Sequence, residues 1–229
     1  MFSVVIPAFN EEQSIVKAIE SIKRQSIGRK NFEIIVVNDN SDDSTPVVAE
    51  RAGADKIVFE KKMGTNIARQ KGVSVSKGEI IAFMDADSIA PSEWLKSIKK
   101  NISRKGVVAV SGPYKFGKLF PDFIMWRVYP LIPKIMSFVT RKRGGIIMGG
   151  NFAAYRSAID KIGGLPPIKF FGDDTAIAVL LARRAGKVLY TRKVWVESSP
   201  RRIQANGMIK IGLKYFKHYF KIYFDDKYR

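Results

Sequence analysis

Residues 79–87 read Glu-Ile-Ile-Ala-Phe-Met-Asp-Ala-Asp, an apolar run that ends abruptly at two carboxylates one residue apart. Five successive apolar residues, Ile80 to Met84, are typical of a strand that is covered on both faces of a parallel sheet. In open sheets of this kind, ligands bind beyond the carboxyl ends of the strands. The stretch therefore predicts a buried strand that presents Asp85 and Asp87 at a ligand-binding edge.

Three interpretations of this pair are open from the stretch alone. Neighbouring anions repel unless a cation compensates, and carboxylate oxygens suit Mg2+ or Mn2+, which normally retain waters and substrate phosphate oxygens. Alternatively, Asp85 and Asp87 are solvated and cap a following helix, as Ser88 could also do. A third hypothesis is a phosphatase in which a strand-end Asp-x-Asp pair supplies the nucleophile and the acid.

The segments before this strand alternate between strand and helix patterns. Strands are predicted at residues 3–9, 32–37 and 56–59, and helices at 10–25, 46–52 and 65–76. We expect Asn10 to cap the first helix. This βαβαβαβ order predicts an α/β protein with a doubly wound, mostly parallel sheet, in which Asp39 also follows a strand. No glycine-rich dinucleotide motif or P-loop follows the first strand.

The second half contains another pair of carboxylates. Residues 146–148 lie between two Gly-Gly pairs and predict a short strand, and residues 151–156 are expected to continue into a helix. Asp173 and Asp174 then precede a helix predicted at 175–185. The helix dipole favours acidic residues there, so capping alone could explain Asp173. Asp174 would lie in the first turn, where an aspartate can face a cleft as a general base.

The chain is strongly basic, and its charge is unevenly distributed. The net charge is +19, and residues 1–110 carry 17 Lys and Arg against 14 Asp and Glu, whereas residues 111–229 carry 23 against 7. This excess indicates a polyanionic partner, which could be nucleic acid, an anionic membrane surface or a phosphorylated substrate; a solubilising surface is the plainer alternative. The absence of cysteine excludes disulfides and thiolate metal sites. The chain has a single histidine, so most mechanisms that depend on catalytic histidines lack the residues they need.

Membrane association is suggested by the end of the chain. No signal peptide is recognisable at the start, so a cytoplasmic protein is expected. Residues 119–139 are densely apolar, but three prolines and three charged residues interrupt them and argue against a transmembrane helix. In residues 204–229, lysines recur at helical spacing opposite aromatic and aliphatic residues; they are Lys210, Lys214, Lys217 and Lys221. This predicts a basic amphipathic helix peripheral to the inner face of the cell membrane, with a helix docked on the domain as the alternative.

Four short segments carry a family resemblance. They are residues 4–12 (VVIPAFNEE), 34–39 (IIVVND), 64–72 (GTNIARQKG) and 83–87 (FMDAD). Followed by Gly150-Asn151-Phe152 and Asp173-Asp174, they resemble the inverting glycosyltransferase family 2, of GT-A fold, over residues 3 to about 185. The resemblance implies a nucleotide-sugar donor, a divalent metal and a single displacement that inverts the anomeric carbon.

The resemblance also implies roles for individual residues of this chain. Asp174 matches the family's general base, and Asp87 matches the residue that holds the metal bridging the donor's diphosphate. Asp85 would contact ribose or the metal. The other implied donor contacts are Pro7, Ala8, Glu11, Asp39 and Arg69.

The chain departs from the family pattern at three positions. Asn38 replaces an aspartate, Gln70 replaces an asparagine, and Asp173 stands where glutamate is commoner, which leaves the identity of the sugar open. Together with Asp173, two further residues, Arg201 and Arg202, are candidates for contacting the diphosphate or a phosphorylated acceptor. Alternatively, the two arginines belong to the general basic face of the protein.

The expected organisation has three parts, which are a donor-binding half at 1–110, an acceptor-binding and catalytic-base half at 111–203 and the basic tail at 204–229. The expected function is metal-dependent transfer of a sugar from a UDP- or GDP-sugar to a lipid-linked or glycan acceptor. Competing hypotheses are a phosphatase and a basic nucleic-acid-binding protein, although no nucleic-acid recognition motif is present and no such partner is expected.

Overall fold

The computed structural model describes residues 1–117, 145–168, 172–201, 218 and 220–225. Its strands are β1 (Phe2–Ala8), β2 (Phe32–Asn38), β3 (Lys56–Phe59), β4 (Ile80–Met84), β5 (Ser88–Ile89), β6 (Val107–Ser111), β7 (Tyr114–Lys115), β8 (Asn151–Tyr155), β9 (Lys187–Tyr190) and β10 (Val196–Ser198). Within the described residues, the main sheet has seven strands in the order β3-β2-β1-β4-β8-β6-β9. All its neighbours pair in parallel except β8, which is antiparallel to both β4 and β6.

Helices connect these strands. In the described ranges they are α1 (Ile15–Lys23), α2 (Thr45–Arg51), α3 (Thr65–Val75), α4 (Trp94–Ile102), α5 (Arg156–Lys161) and α6 (Asp173–Leu180). A short 3-10 helix precedes β2, and a π-helical turn extends α6 to Ala185.

The sheet is buried on both faces. Successive side chains of a strand point to opposite sides, so Val4 and Ile6 lie in one core and Val5 in another. Residues of α1 and α4 complete the first core, and residues of α3, α5 and α6 complete the second. The close approach of α3 requires Gly72, because a Cβ there would lie 2.3 Å from a Val5 methyl. The predicted doubly wound, mostly parallel sheet is confirmed.

The central strand β4 behaves as its sequence predicts. All five of its residues are buried between β1 and β8. Asp85 and Asp87 follow it, and Asp39 follows β2, so these carboxylates reach the same edge of the sheet. The segment after Asp87 is the strand β5 rather than a helix, and α4 begins only at Trp94. Capping of a following helix is therefore the wrong interpretation of the Asp pair.

A small second sheet lies beside this edge. Its order is β5-β10-β7, with β10 antiparallel to β5 and parallel to β7. Ser198 pairs with Ser88, directly after Asp87. The small sheet thus brings the chain near residue 200 next to the Asp-x-Asp turn.

Two local predictions are wrong. Asn10 does not cap a helix: its φ is 53°, its side chain accepts a hydrogen bond from the Asp42 N–H, and α1 begins at Ile15. Residues 146–148 form only a bridge between Met148 and Asn151. The strand is instead β8, because Asn151–Tyr155 fills the buried position between β4 and β6.

Only part of the predicted tail helix is described. Residues 220–224 are helical; Ile222 packs into the second core, while Lys221 is exposed. Lys210, Lys214 and Lys217 lie outside the described residues, as does the apolar segment 119–139. In the part of the chain that the structure describes, no helix combines the length and apolarity that crossing a bilayer requires.

Candidate active site

The loops after β1 and β2 are bound to each other at the carboxyl edge of the sheet. The Asn10 N–H donates to Ser41 Oγ at 3.0 Å, and the Glu11 N–H donates to Thr45 Oγ1 at 2.8 Å. A further bond joins the Ser44 N–H to Glu12 at 3.0 Å. These bonds give the first-strand loop one conformation, with Glu11 facing the turn that follows β4.

Asp39 is a buried carboxylate at the end of β2. Its own N–H donates to the carbonyl of Ala8 at 2.8 Å, and its two oxygens accept the Gly64 N–H at 3.0 and 3.1 Å. Pro7 and Ala8 are buried on the neighbouring strand. Burial raises the pKa of Asp39 above its ordinary value, although the Gly64 hydrogen bond opposes this shift. Asp39 therefore lies with Pro7 and Ala8 at the strand ends, where the donor contacts were predicted.

Asp85 is bound on both of its oxygens. Arg69 Nη2 lies 3.0 Å from Oδ1, and the Tyr114 hydroxyl donates to Oδ2 at 3.3 Å. The same hydroxyl accepts the Gly150 N–H at 2.7 Å. Gly150 is required at this point, because a Cβ there would lie 1.9 Å from Asp85 Oδ2. The orientation of the Asp85 carboxylate is thus set from three directions.

Arg69 connects the two pairs of carboxylates. It projects from α3, is buried, and binds Asp173 Oδ2 through Nη1 at 3.1 Å in addition to Asp85. Burial alone would lower the pKa of the guanidinium, but the charges of Asp85 and Asp173 outweigh it and raise the pKa above its ordinary value. One buried cation therefore brings the end of β4 and the start of α6 together.

Asp174 differs from its neighbour in having little contact with water. Its carboxylate accepts the Thr175 N–H at 2.8 Å, and only 5% of the residue is exposed. Burial raises the pKa of Asp174 to about 7, and the charge of Asp173 adds to this effect. A carboxylate with such a pKa can accept a proton from a reacting hydroxyl near neutral pH.

Asp87 shares a cation with Glu11. Arg201 Nη2 lies 3.1 Å from Asp87 Oδ2 and 2.7 and 2.9 Å from the two oxygens of Glu11. Burial and the charge of Asp85 raise the pKa of Asp87, although Arg201 opposes the shift. Hydrogen bonds to Asp87 and Glu11 raise the pKa of Arg201 above its ordinary value.

The structure thus gathers most of the predicted site residues around one edge. Arg69 joins Asp85 to Asp173, and Arg201 joins Glu11 to Asp87. Arg202 lies outside the described residues. Sequence reasoning missed Tyr114, which is a partner of Asp85 although no sequence motif marks it.

A divalent metal fits the donor atoms of this edge. Asp85 and Asp87 supply hard oxygen ligands from one short turn, and neither is fully buried. Among the described residues, no group of three or more histidine, aspartate and glutamate side chains is placed to hold a metal ion. Two protein carboxylates would leave the remaining positions to waters and phosphate oxygens, which is the usual arrangement for Mg2+.

Comparison with known proteins gives one family model and several related glycosyltransferases. The family model described as "Glycosyl transferase family 2" matches residues 3–163. Glycosyltransferase AglE of Haloferax volcanii is 30% identical over 119 residues, which are 50% of this chain and 39% of AglE. The chain thus spans well under two thirds of this relative.

Solved structures show the same fold. The mannosyltransferase PcManGT of Pyrobaculum calidifontis, in complex with GDP-Man and Mn2+, superposes with a TM-score of 0.76 at 24% identity, covering 98% of this chain and 64% of that one. Residues 1–349 of TarS from S. aureus, in complex with UDP-GlcNAc, give a TM-score of 0.66 at 21% identity, covering 86% and 58%. At these identities the likeness shows the fold.

Proposed function

The chain belongs to glycosyl transferase family 2, and from this membership we propose that it transfers a sugar, with inversion at the anomeric carbon, from a UDP- or GDP-sugar to a lipid-linked acceptor. The observation that carries the proposal is the double contact of Arg69 with Asp85 and Asp173. This contact supports the proposal because it joins the turn that contains the candidate metal ligands to the start of α6, which contains the candidate base. Residues 1–110 would bind the donor, and residues 111–203 would bind the acceptor and supply the base.

Donor binding is assigned to the carboxyl edge of β1, β2 and β4. Pro7, Ala8 and Asp39 would contact the base and ribose, because Asp39 is a buried acceptor and bases and ribose offer N–H and O–H donors. PcManGT and TarS are described with GDP- and UDP-linked sugars, which supports both nucleotides as candidates.

Asp85 and Asp87 would hold a divalent metal, Mn2+ or Mg2+. The metal, when bound, neutralises charge that develops on the departing nucleoside diphosphate. Arg69 and Tyr114 orient Asp85 for this role. PcManGT is described in complex with Mn2+, which supports a divalent metal as a partner of this chain.

Asp174 would act as the general base. An acceptor hydroxyl must lose a proton as it attacks the anomeric carbon, and the pKa of Asp174, raised by burial to about 7, suits that transfer. Asp173 would keep Arg69 close to the base and raise the basicity of Asp174 through its charge. A phosphate acceptor would not require such a base, so the residue also distinguishes the two kinds of acceptor.

The proposals of a lipid-linked acceptor and of an anionic membrane surface rest on the positive charge of the second half of the chain. Residues 111–229 carry 23 Lys and Arg against 7 Asp and Glu. An anionic membrane surface that carries a lipid-linked acceptor would attract this positively charged half of the chain. Vesicle flotation tests this: replacing Lys210, Lys214, Lys217 and Lys221 by glutamine should abolish binding to vesicles that contain phosphatidylserine, whereas the same change at Lys96, Lys99, Lys100 and Lys105 should not. Equal partition of the two variants would contradict membrane binding by the tail.

A thermal-shift screen tests the activity class. In a screen of UDP-, GDP- and dTDP-sugars, a UDP- or GDP-sugar at about 100 times its Kd should stabilise the protein by about 2.7 kcal/mol, and the effect should require Mn2+ or Mg2+. Hydrolysis of simple phosphoesters without stabilisation by any nucleotide-sugar would favour the phosphatase. Steeply salt-dependent binding of any duplex or single strand, again without nucleotide-sugar binding, would favour a nucleic-acid-binding protein.

A further inference from the structure

We propose that Arg201 is an exchangeable counter-ion of the donor site: it neutralises Glu11 and Asp87 before the donor binds, and it transfers to the donor's diphosphate when a divalent metal takes Asp87. The inference rests on the proposed function. It adds that the free metal ion and Arg201 compete for one carboxylate, whereas the metal and the nucleoside diphosphate bind together.

The geometry of the guanidinium is the first support. One nitrogen, Nη2, contacts both oxygens of Glu11 and one oxygen of Asp87, at 2.7, 2.9 and 3.1 Å. Glu11 follows β1 and Asp87 follows β4, so Arg201 crosses the mouth of the predicted diphosphate position. Nε of the same side chain donates to Ser199 Oγ at 3.2 Å.

The small sheet fixes the backbone while the side chain stays accessible. Ser198 of β10 pairs with Ser88, which is adjacent to Asp87, and Arg201 follows three residues later. The Arg201 side chain is nevertheless 59% exposed. A groove of about 260 Å3, lined in part by Lys17, Asp87 and Arg201, opens beside it. The guanidinium can therefore change partners without a rearrangement of the sheet.

Charge balance gives the exchange its direction. Arg69 contacts Asp85 and Asp173 and is buried, whereas Arg201 contacts Glu11 and Asp87 and is exposed. A divalent ion at Asp87 would repel the guanidinium. A diphosphate offers the same guanidinium new oxygens, to which arginine can bind in a bidentate manner. Binding of the metal alone would cost the free energy of separating Arg201 from Asp87. Binding of the metal together with the diphosphate would offset this cost, because Arg201 could then bind the diphosphate oxygens.

This scheme predicts opposite effects of one substitution. Replacing Arg201 removes the competitor, so Mn2+ alone should bind more tightly. The same change removes a ligand of the diphosphate, so GDP or UDP should bind more weakly at saturating Mn2+. The cooperativity between Mn2+ and the nucleotide should therefore fall, and because binding couplings are reciprocal, the fall should be the same whichever ligand is titrated first.

Isothermal titration calorimetry on the full chain measures both effects. For Arg201→Gln we expect about 5-fold tighter binding of Mn2+ alone and about 10-fold weaker binding of GDP or UDP with Mn2+. Arg192→Gln is the matched control, because Arg192 is an exposed arginine on the loop between β9 and β10 and has no assigned role. It should equal the wild type in both titrations.

The outcomes separate this inference from the proposed function. Weaker nucleotide binding with unchanged or weaker Mn2+ binding would make Arg201 only a diphosphate ligand and overturn the exchange. Unchanged nucleotide binding would overturn it as well. A wild-type protein that binds neither GDP nor UDP with Mn2+ would contradict the transferase itself. Because Arg201 is exposed, an unchanged melting temperature of the metal-free variant would show that its fold is intact.

Discussion

The two aspartate pairs of this protein have the same chemistry and different surroundings. Asp85 and Asp87 follow a strand, are partly accessible, and each contacts an arginine. Asp173 and Asp174 begin a helix, and only Asp173 contacts Arg69, while Asp174 is buried against the Thr175 N–H. The first pair is therefore suited to bind cations, and the second contains a carboxyl whose pKa lies near neutrality.

The comparison shows that local environment, rather than residue type, assigns the roles. Arg69 contacts one aspartate of each pair. Of the other two aspartates, Asp87 contacts the exposed Arg201, and Asp174 has no direct arginine contact within the described residues. The more accessible of these two, Asp87, is suited to bind a metal, and the buried one, Asp174, is suited to accept a proton. Each of the following substitutions tests this difference between the two pairs.

Removing the base should have the largest effect. Asp174→Asn keeps the size of the side chain but cannot accept the proton, so we expect about 10³-fold slower release of nucleoside diphosphate in the presence of a hydroxyl acceptor. Asp160→Asn, an exposed aspartate on α5, is the control and should retain the wild-type rate. Unchanged turnover in Asp174→Asn would remove the residue from this role and point to a phosphate acceptor.

The same substitution should stabilise the protein at alkaline pH. The folded pKa of Asp174 is about 7, above the ordinary value of about 3.9 in an unfolded chain. The contribution of the neutral Asp174 carboxyl to the unfolding free energy of the wild type is fully present below pH 4 and is lost as the pH rises through 7. Asp174→Asn stays neutral, so above pH 8 it should exceed the wild type by up to about 4 kcal/mol in unfolding free energy. Chemical denaturation at pH 5 and 9 measures this, and an equal difference at both values would contradict the raised pKa.

Displacing Asp85 should weaken metal-dependent binding without altering the base. Gly150→Ala places a Cβ 1.9 Å from Asp85 Oδ2, and the carboxylate must leave Arg69 and Tyr114. We expect about a 10-fold loss in Mn2+-dependent affinity for GDP or UDP, the size usual for disturbed ligand orientation. Ser157→Ala, at an exposed position of α5, is the control and should keep the wild-type affinity. Equal losses in the two variants would show that Asp85 orientation is unimportant.

The smallest expected effect is a shift in a pH profile. Asp173→Asn removes the negative charge that helps to raise the pKa of Asp174. The acidic limb of kcat/KM should therefore move to lower pH, by about one unit or less. A limb that moves to higher pH would mean that Asp173 acts mainly by holding Arg69, whose charge lowers the pKa of Asp174, close to the base.

Much of this division could be predicted from the sequence. Apolar runs that stop at carboxylates gave the strands and their common edge, so Asp39, Asp85 and Asp87 were expected together. Asp174 is predicted to be the general base from its place in a family motif. These features are local, and periodicity reports local structure well.

The contacts that set each environment could not be predicted. Tyr114 reaches Asp85 and Gly150 over separations of 29 and 36 residues, and Arg201 reaches Glu11 over 190. They depend on a second sheet whose strands span two or three residues, too few to show an alternation. Asn10 was misassigned for a related reason, since its partners lie on the loop after β2 rather than in its own helix.

The most direct test of the account makes the same change in both pairs. Calorimetry would measure the affinity of GDP or UDP, with Mn2+, for Asp87→Asn and Asp174→Asn. We predict about a 100-fold loss for Asp87→Asn, which replaces a charged metal ligand by a neutral amide, and wild-type affinity for Asp174→Asn. Equal loss of affinity in the two variants would contradict the assignment of metal binding to one pair and proton transfer to the other.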